Sequence, residues 1–240
     1  MDLSIIIPAF NEGLKVARDV AAAASFLVSA RLSGEIIVVD DGSADSTAEA
    51  AEALPVPPGV ERRVIRLPEN QGKGAAVRAG MLASRADFAM FADSGVCVPF
   101  SSALRGLELL QGGHCDVAHG SRKMPDSLIR LPQPFHRRVM SRLFRWTVRL
   151  VLGIPRDLTD TQCGFKLYRG PVARELFADC ETAGFLFDVE ILLLALKRGY
   201  RVREFPVEWQ CDLDSRLKAG PTTCRSFREL LALRRRLARA

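Results

Sequence analysis

The sequence predicts an α/β fold, in which helices cover both faces of a mostly parallel central sheet. Short apolar runs alternate with helix-like segments through the first half of the chain, as in successive βαβ units. Two of these runs end in acids followed by small residues, and ligands gather beyond the carboxyl ends of parallel strands. The chain has 240 residues, of which 48% are hydrophobic, so it can build the core of one large domain. We therefore expect a single domain over residues 1–240.

The opening of the chain has the pattern of a βαβ unit. Residues 4–8 form a β-branched run that ends in proline, and a long Ala-rich segment follows it. Residues 35–39 are a second apolar run, which leads into Asp40, Asp41 and a turn. A helix over residues 46–53 comes next. The two runs predict parallel strands that are joined by a helix.

The alternation continues along the chain. Further strands are predicted over residues 60–67, 88–92 and 115–118, and further helices from residue 72, over 101–111 and over 188–197. Residues 200–209 alternate charged and apolar side chains and include Pro206, a pattern typical of a half-exposed edge strand. We expect this strand at the border of the sheet.

Charge is divided unevenly between the two parts of the chain. Residues 1–100 contain 9 Lys and Arg against 13 Asp and Glu, whereas residues 101–240 contain 25 against 15. The two parts should therefore meet different chemical groups. A nucleic-acid partner is not expected, because the first part is acidic and only two Tyr and two Trp are present to stack on bases.

The sequence predicts neither a membrane-spanning helix nor a cysteine zinc site. No stretch has the roughly 18 uncharged apolar residues that a spanning helix needs. The amino terminus begins with a strand-like run and lacks the layout of a signal peptide, so we expect a cytoplasmic location. The six cysteines form no CxxC pair, and we expect buried, reduced thiols.

The second half contains two basic amphipathic segments. Between Asp126 and Asp157 there are seven arginines and no acid. On a helix, four of these arginines share one face, beside an apolar side that includes Leu143, Trp146 and Leu150. They are Arg138, Arg142, Arg145 and Arg149. The tail over residues 223–240 repeats the pattern with Arg234, Arg235, Arg236 and Arg239. Such helices suit an anionic membrane surface, and ordinary surface helices with solvated arginines are the alternative.

Three acids follow apolar strands and are candidates for a ligand site: Asp40, Asp41 and Asp93. We expect them at the ends of two neighbouring strands. One acid can accept a hydrogen bond from a ribose or a base, while another holds a divalent cation that bridges diphosphate oxygens. Turn chemistry alone is the alternative interpretation of Asp41 before Gly42.

Residues 72–74, with the sequence Gly-Lys-Gly, do not form a phosphate-binding P-loop. That motif needs a glycine five residues before Gly72 and Ser or Thr after the lysine, and neither is present. The first predicted helix is also not opened by G-x-G-x-x-G, so a dinucleotide cofactor is not expected.

Several stretches together resemble the family 2 glycosyltransferases, which have the GT-A fold. The stretches are residues 5–12 (IIIPAFNE), 38–43 (VVDDGS), 70–78 (NQGKGAAVR), 160–167 (DTQCGFKL) and 187–190 (FDVE). They are most similar to the branch that acts on polyprenyl and dolichyl phosphates, in particular the dolichyl-phosphate β-glucosyltransferases. The resemblance covers nearly the whole chain. It implies a nucleotide-sugar-binding half over residues 1–100, an acceptor half over 101–222 and a basic tail helix over 223–240.

The resemblance implies an inverting transfer of glucose from UDP-glucose to a polyprenyl phosphate at the cytoplasmic membrane face, with GDP-mannose as the second candidate donor. The implied nucleotide-sugar-binding residues are Pro8, Ala9, Phe10, Asn11, Glu12, Asp40, Asp41, Gly72, Lys73, Asp93 and Ser94. The implied catalytic residues are Asp93, Arg122, Asp160 and Asp188. The implied lipid-phosphate-binding residues are Arg122, Arg137, Ser141 and Lys166.

One position departs from the family pattern. The family usually has Asp-x-Asp after the fourth strand, whereas this chain has Asp93, Ser94 and Gly95. A Mg²⁺ or Mn²⁺ ion would have Asp93 as its protein carboxylate. It would take further oxygens from the diphosphate and water.

A phosphate acceptor needs no strong general base. The second pKa of a phosphate monoester is about 6, so most of the acceptor is already dianionic at neutral pH. The remaining task is to bring two anions together and to stabilise the departing diphosphate. Asp160 and Asp188 either orient the substrates or assist proton transfer, and the sequence does not rank these roles. Two other functions stay open: transfer to a soluble or saccharide acceptor, and non-catalytic binding to a membrane surface.

Overall fold

The computed structural model describes residues 1–132, 135–211 and 229–236, and for residues 135–141 it describes the backbone alone. The main sheet contains seven strands: β1 (Leu3–Ala9), β2 (Gly34–Asp40), β3 (Val60–Arg66), β4 (Phe88–Ala92), β5 (Val117–Ser121), β7 (Phe165–Arg169) and β8 (Val202–Pro206). A small second sheet pairs β6 (Leu128–Leu131) with β9 (Glu208–Gln210). The main sheet has the strand order β3-β2-β1-β4-β7-β5-β8. All its pairs are parallel except those of β7, which is antiparallel to both β4 and β5.

Helices cover both faces of the main sheet. The helices are α1 (Val16–Ser29), α2 (Thr47–Ala53), α3 (Lys73–Ala83), α4 (Ala103–Gln111), α5 (Phe135–Leu152), α6 (Gly170–Ala178) and α7 (Phe187–Lys197), with a short 3₁₀ helix over Phe100–Ser102. One core cluster packs α1, α2 and α4 against the sheet, and another packs α3, α6 and α7 against its opposite face. Because both faces are covered, every residue of β1 and β2 is buried. The expected α/β fold with a mostly parallel sheet is confirmed.

A third core cluster lies beside α7. Val148 of α5, Leu192 of α7 and Leu233 of the helical residues 229–236 are buried in it. The tail is therefore helical where it is described and packs on the body of the protein. No helix in the described ranges combines the length and apolarity that are needed to cross a bilayer.

The structure corrects the expected position of the strand-end acids. Asp40 is the last residue of β2, Asp41 follows it and Asp93 follows β4, but β1 lies between these strands and pairs with both. The first strand of a doubly wound sheet is central, because the chain reverses its direction of growth there. The acids are therefore separated by one strand and its loop.

The structure also corrects several element boundaries. Strand β5 begins two residues later than predicted and extends to Ser121. The single edge strand predicted over residues 200–209 is two strands, with β8 at the edge of the main sheet and β9 in the second sheet. Strand β7 was not predicted at all, because alternation of Phe165, Lys166 and Leu167 is not the pattern of a strand that is buried on both faces.

Three of the six cysteines have the buried, reduced state that was expected, and for the others it stays a prediction. Cys115, Cys163 and Cys180 are buried free thiols, Cys211 is buried and Cys97 is partly exposed. Cys224 lies outside the described residues.

Candidate active site

The first loop of the site follows β1 and includes the predicted residues 8–12. Pro8 and Ala9 are buried, whereas Phe10 is 39% exposed. Asn11 has a positive φ of 53°, a conformation that Asn tolerates, and its Oδ1 accepts the N–H of Ala44 at 2.8 Å. Glu12 donates its N–H to the hydroxyl of Thr47 at 2.8 Å. These bonds tie the β1 loop to the loop after β2.

The acids after β2 support neighbouring backbone. Asp41 is buried, and its two carboxylate oxygens accept the N–H groups of Gln71 and Gly72 at 2.8 and 2.9 Å. Asp40 accepts the N–H of Ser43 at 3.1 Å. Asp41 thus holds the loop that delivers Lys73 to the site.

The Gly-Lys-Gly sequence is required by the local geometry. Gly72 has a φ of +112°, which glycine alone adopts without strain. At Gly74 a Cβ atom would overlap the carbonyl oxygen of Thr182. The first turn of α3 therefore packs directly on residues 182–184, and the ammonium group of Lys73 lies 5.9 Å from the ring centre of Phe91 in β4 and 5.8 Å from that of Phe187.

Lys73 meets Asp93 at the carboxyl end of β4. The ammonium nitrogen lies 2.6 Å from Oδ1 of Asp93. Burial favours the neutral lysine, but the carboxylates of Asp93 and Asp188 outweigh it and hold the pKa of Lys73 above its ordinary value. The side chain is therefore a fixed positive charge.

Asp93 is also fixed from the other side. Its N–H donates to the carbonyl oxygen of Gly164 at 2.9 Å, and a Cβ atom at Gly164 would overlap its carboxylate. Gly164 precedes β7, so the antiparallel insertion of β7 beside β4 brings the motif over residues 160–167 against Asp93. Asp93 is partly exposed and can still receive a ligand.

A second ion pair lies behind the first. Lys166 is fully buried, and its ammonium nitrogen lies 2.6 Å from Oδ1 of Asp188 and 2.9 Å from the carbonyl oxygen of Cys163. Burial raises the pKa of Asp188, although Lys166 and Lys73 favour its charged form. Lys166 has no exposed surface here, and its contact with a lipid phosphate stays a prediction.

A third pair joins Arg122 to Asp160. Asp160 is buried, and its two carboxylate oxygens accept hydrogen bonds from Nε and Nη2 of Arg122 at 2.6 and 2.7 Å, which is a bidentate contact. Burial alone would raise the pKa of Asp160, but Arg122 lowers it to about 2. Glu204 supports the pair by accepting the N–H of Asp160 at 2.7 Å. Asp160 is therefore an ionised group that orients Arg122.

The three pairs surround one buried thiol. Cys163 lies within electrostatic reach of Arg122, Asp160, Lys166 and Asp93. Burial raises the pKa of its thiol to about 12, so the sulfur stays protonated. The structure thus brings together the predicted residues Lys73, Asp93, Arg122, Asp160, Lys166 and Asp188.

Further cations lie beside Arg122, and we call them the basic cluster. Arg122 and Arg142 are close enough to Lys123 to lower its pKa, although burial contributes most. Burial likewise lowers the pKa of Arg145, and the cations around it add to the effect. The members of the basic cluster are Arg122, Lys123, Arg142, Arg145 and Arg149. Of the two other predicted phosphate contacts, Arg137 and Ser141, the side chains lie outside the described residues.

An apolar ridge projects from α5 on its solvent side. It consists of Leu143, Trp146 and Leu150, which are 56%, 62% and 67% exposed. Val148 points into the core instead. The helix therefore exposes large apolar side chains next to the basic cluster.

The tail arginines, which were predicted to lie together on a membrane-facing surface, differ from one another in exposure and contacts. Arg234 and Arg235 are exposed. Arg236 instead lies 2.9 Å from Glu181 and 3.3 Å from the buried carboxylate of Glu190, and it donates to the hydroxyl of Thr182 at 2.7 Å. Arg236 therefore fixes the tail helix to the segment that covers α3. Arg239 lies outside the described residues.

The fit of a divalent cation depends on Asp93. Within residues 1–132, 135–211 and 229–236, no three or more His, Cys, Asp or Glu side chains are grouped to hold a metal ion. Asp93 offers one accessible carboxylate, which suits an ion such as Mg²⁺ that takes most of its ligands from phosphate and water. Gly95 presents its N–H to Asp19 at 2.9 Å and has a φ of +93°. Glycine at position 95 thus permits the backbone conformation of this turn.

Three supporting residues were not identified from the sequence. Asp19 binds the turn after β4, Gly164 makes room for Asp93, and Glu204 supports Asp160. Each is remote in sequence from its partner, so local pattern could not reveal the contact. Gly164 alone lay within a quoted motif.

Known proteins resemble this chain along most of its length. A family model described as Glycosyl transferase family 2 matches residues 4–177. A dolichyl-phosphate β-glucosyltransferase of Dictyostelium discoideum is 30% identical over 97% of this chain and 73% of its own length. The Saccharomyces cerevisiae protein of the same name is 31% identical over 97% of this chain and 74% of its own.

Solved structures agree in fold. Glucosyl-3-phosphoglycerate synthase from Mycobacterium tuberculosis, in complex with Mn²⁺ and UDP-glucose, matches with a TM-score of 0.68 at 19% identity, over 97% of this chain and 78% of that one. At this identity the similarity shows the shared fold. Together with the strand-end site and the family match over residues 4–177, it establishes that the chain belongs to glycosyl transferase family 2 and is a glycosyltransferase.

Proposed function

We propose that the protein transfers glucose from UDP-glucose to a polyprenyl phosphate, with inversion at the anomeric carbon. The names of the relatives at 30% and 31% identity support this donor sugar and this acceptor class. The observation that carries the proposal is the basic cluster, in which Asp160 interacts with Arg122, Lys123 and Arg145, and Arg122 lies within electrostatic reach of Asp93. A site of this charge suits the meeting of two phosphate-bearing substrates.

The reaction forms one bond and breaks one bond. A phosphate oxygen of the acceptor attacks C1 of the glucose, while the bond from C1 to the β-phosphate oxygen breaks and UDP leaves. Since the acceptor's second pKa is about 6, its attacking oxygen needs no protein base near neutral pH. Positioning and charge stabilisation are therefore the tasks of the protein.

Lys73 acts on the leaving group. Its ammonium group is held beside Asp93 at the first turn of α3, and both the charge and the helix N-terminus favour a diphosphate there. A Mg²⁺ or Mn²⁺ ion held by Asp93 would supply additional positive charge to the diphosphate oxygens. Asp40, Asp41 and residues 8–12 line the donor side of the same edge.

Asp160 and Asp188 have positioning roles in this scheme. Both oxygens of Asp160 bind Arg122, and a pKa of about 2 makes Asp160 a poor proton acceptor. Asp188 binds Lys166 in the interior. Arg122 is thereby held toward the acceptor phosphate, with its guanidinium carbon 5.4 Å from the ring centre of Trp209.

The apolar ridge and the basic cluster support peripheral contact with an anionic membrane. Each basic residue near an anionic leaflet contributes about 1 kcal/mol, and exposed Trp and Leu side chains favour the interfacial region. The exposed Arg234 and Arg235 add to the attraction. A lipid-linked phosphate would then meet Arg122 at the membrane surface.

The test compares donors and acceptors in parallel assays. Purified protein is given UDP-glucose or GDP-mannose with a polyprenyl phosphate in anionic liposomes, with and without Mg²⁺. A polyprenol that lacks the phosphate serves as the matched acceptor control, and a soluble saccharide tests the main alternative. The expected product is a polyprenyl-phosphate glucose of inverted configuration. It should form with UDP-glucose as the donor and not with GDP-mannose.

The outcomes separate the competing functions. Transfer to the saccharide, with none to the polyprenyl phosphate, would replace the proposal by transfer to a soluble acceptor. No transfer and no donor hydrolysis under any condition would indicate a non-catalytic membrane-binding protein. Transfer from GDP-mannose at a higher rate would correct the donor.

A further inference from the structure

The turn after β4 has a backbone conformation that side chains disfavour. Gly95 and Val96 have φ angles of +93° and +48°. For a β-branched residue such as Val96 this region is strained, and it persists only where neighbouring groups hold it. Because the turn begins at Asp93, its conformation decides where that carboxylate points.

Contacts from three directions hold this turn. The N–H of Asp93 donates to the carbonyl oxygen of Gly164 at 2.9 Å. Gln210 donates its N–H to the carbonyl oxygen of Cys97 at 2.9 Å and its side-chain amide to that of Val96 at 3.3 Å. The third contact comes from α1, where Oδ2 of Asp19 accepts the N–H of Gly95 at 2.9 Å.

A buried acid such as Asp19 is unusual in a contact that only supports the structure. The residue is 1% exposed, and within the described residues its Oδ1 has no hydrogen-bond partner. The nearest cation, Nε of the exposed Arg18, lies 4.0 Å away. Burial raises the pKa of Asp19 to about 6. A buried carboxylate with one unmet oxygen destabilises the folded state, so stability alone does not account for it.

We propose that Asp19 is a positioning residue for glycosyl transfer, because its carboxylate fixes the Gly95–Val96 turn and thereby the direction of Asp93. The inference rests on the proposed function, which places Asp93 at the donor diphosphate. It also accounts for Gly95, whose N–H donates to the carboxylate of Asp19 in α1. The chain thus has a carboxylate beside this turn, although none stands at position 95.

Substitutions can distinguish the effect of the Asp19–Gly95 hydrogen bond from an effect of side-chain packing. Asp19→Ala removes the acceptor, so the strained turn should relax and Asp93 should lose its direction. Asp19→Asn keeps an acceptor oxygen for Gly95. Val96→Gly removes the cost of the left-handed conformation, so it should partly restore the Asp19→Ala protein. Asp2→Ala is the matched control, because Asp2 also accepts a backbone N–H, that of Ser33 at 2.7 Å, away from the site.

The experiment measures UDP-glucose turnover and amide hydrogen exchange over residues 93–97 in the wild type and in four variants: Asp19→Ala, Asp19→Asn, Asp19→Ala with Val96→Gly, and Asp2→Ala. Asp19→Ala should lower kcat/KM for UDP-glucose about tenfold or more, whereas Asp19→Asn and Asp2→Ala should stay within about threefold. Addition of Val96→Gly should recover about threefold or more. Exchange of the Gly95 amide should accelerate in Asp19→Ala and remain slow in Asp19→Asn.

Two results would overturn the inference. One is an Asp19→Ala protein with wild-type turnover and wild-type exchange at Gly95. The other is equal loss in Asp19→Ala and Asp19→Asn without rescue by Val96→Gly, since charge or packing would then explain the effect. If the wild type does not use UDP-glucose at all, the proposed function fails, and the exchange rates alone decide whether Asp19 holds the turn.

Discussion

The ammonium nitrogen of Lys73 lies 2.6 Å from Oδ1 of Asp93, where the first turn of α3 meets the carboxyl end of β4. The pair joins two donor-side segments, the start of α3 and the end of β4. A bound diphosphate would offer Lys73 further anionic partners, while Gly164 keeps the Asp93 carboxylate in place. Lys73 is therefore the side chain whose removal should affect the leaving group most directly.

We expect Lys73→Met to lower kcat about 100-fold with a small effect on folding, because it removes one fixed charge at the developing diphosphate. Steady-state kinetics with UDP-glucose measure the change. Lys197→Met is the control, since Lys197 is an exposed lysine in the last turn of α7. A Lys73→Met enzyme within about threefold of wild type would contradict the assigned role.

The Arg122–Asp160 pair should make stability depend on acid. Asp160 has a pKa of about 2, below its ordinary 3.8, so its contribution is present above pH 4 and is lost as the pH falls through 2. The shift corresponds to about 2 kcal/mol. Urea unfolding from pH 5 to pH 2 should show this loss in the wild type. Arg122→Gln should have a shallower dependence, and an unchanged slope would contradict the prediction.

Asp19 should have the opposite pH dependence. Its pKa is raised to about 6, so the folded state prefers the neutral acid and loses stability as the pH rises from about 4 through 6. The charged groups that act on it are Arg18, Glu12 and Lys15. Relative to the wild type, Asp19→Asn should gain about 1 kcal/mol between pH 5 and pH 7.5. Urea unfolding at the two pH values tests this, and a constant difference between the proteins would count against it.

Neighbouring tail arginines should differ in their effect on stability. Arg236→Gln leaves the buried carboxylate of Glu190 without its ion pair and should lower the free energy of unfolding by about 1–3 kcal/mol. Arg235 is exposed, so Arg235→Gln should change it by less than about 0.5 kcal/mol. Chemical denaturation compares the two variants directly. Equal effects would mean that the Arg236 contacts contribute nothing.

The apolar ridge should be required for membrane contact. The triple variant Leu143→Ser, Trp146→Ser and Leu150→Ser should lose most co-sedimentation with anionic liposomes, because it removes the side chains that enter the interface. Val28→Ser, at an exposed apolar position of α1, is the control and should sediment as the wild type does. Binding of the wild type should also weaken at high salt. If the triple variant binds normally, the ridge is not the contact surface.

Local pattern was enough to predict the donor side of the fold. Strand β4 has the predicted bounds Phe88–Ala92, and the loops after β1 and β2 lie where their apolar runs end. These strands are short, mostly apolar and followed by turn residues, so period and composition define them. The same reasoning placed Asp93 at a strand end.

Contacts between segments that are distant in sequence could not be predicted from local sequence pattern. The insertion of β7 between β4 and β5 is decided by pairing across the sheet, and the buried Lys166 is stable there because Asp188 comes from another helix. Likewise, nothing around Arg236 distinguishes it from Arg234 or Arg235 before Glu190 is brought beside it. Such partners depend on tertiary structure, and composition alone assigns all three arginines to the same surface.

The position of β7 has a consequence for any attempt to divide the protein. Residues 1–100 and 101–240 differ in charge, but β4 from the first part pairs along its whole length with β7 from the second. A fragment that ends near residue 100 would leave β4 as an open, apolar edge, which is a template for intermolecular pairing and aggregation. The acidic and basic parts thus share one sheet, and we expect two co-expressed fragments to need strand complementation between β4 and β7 to give a soluble protein.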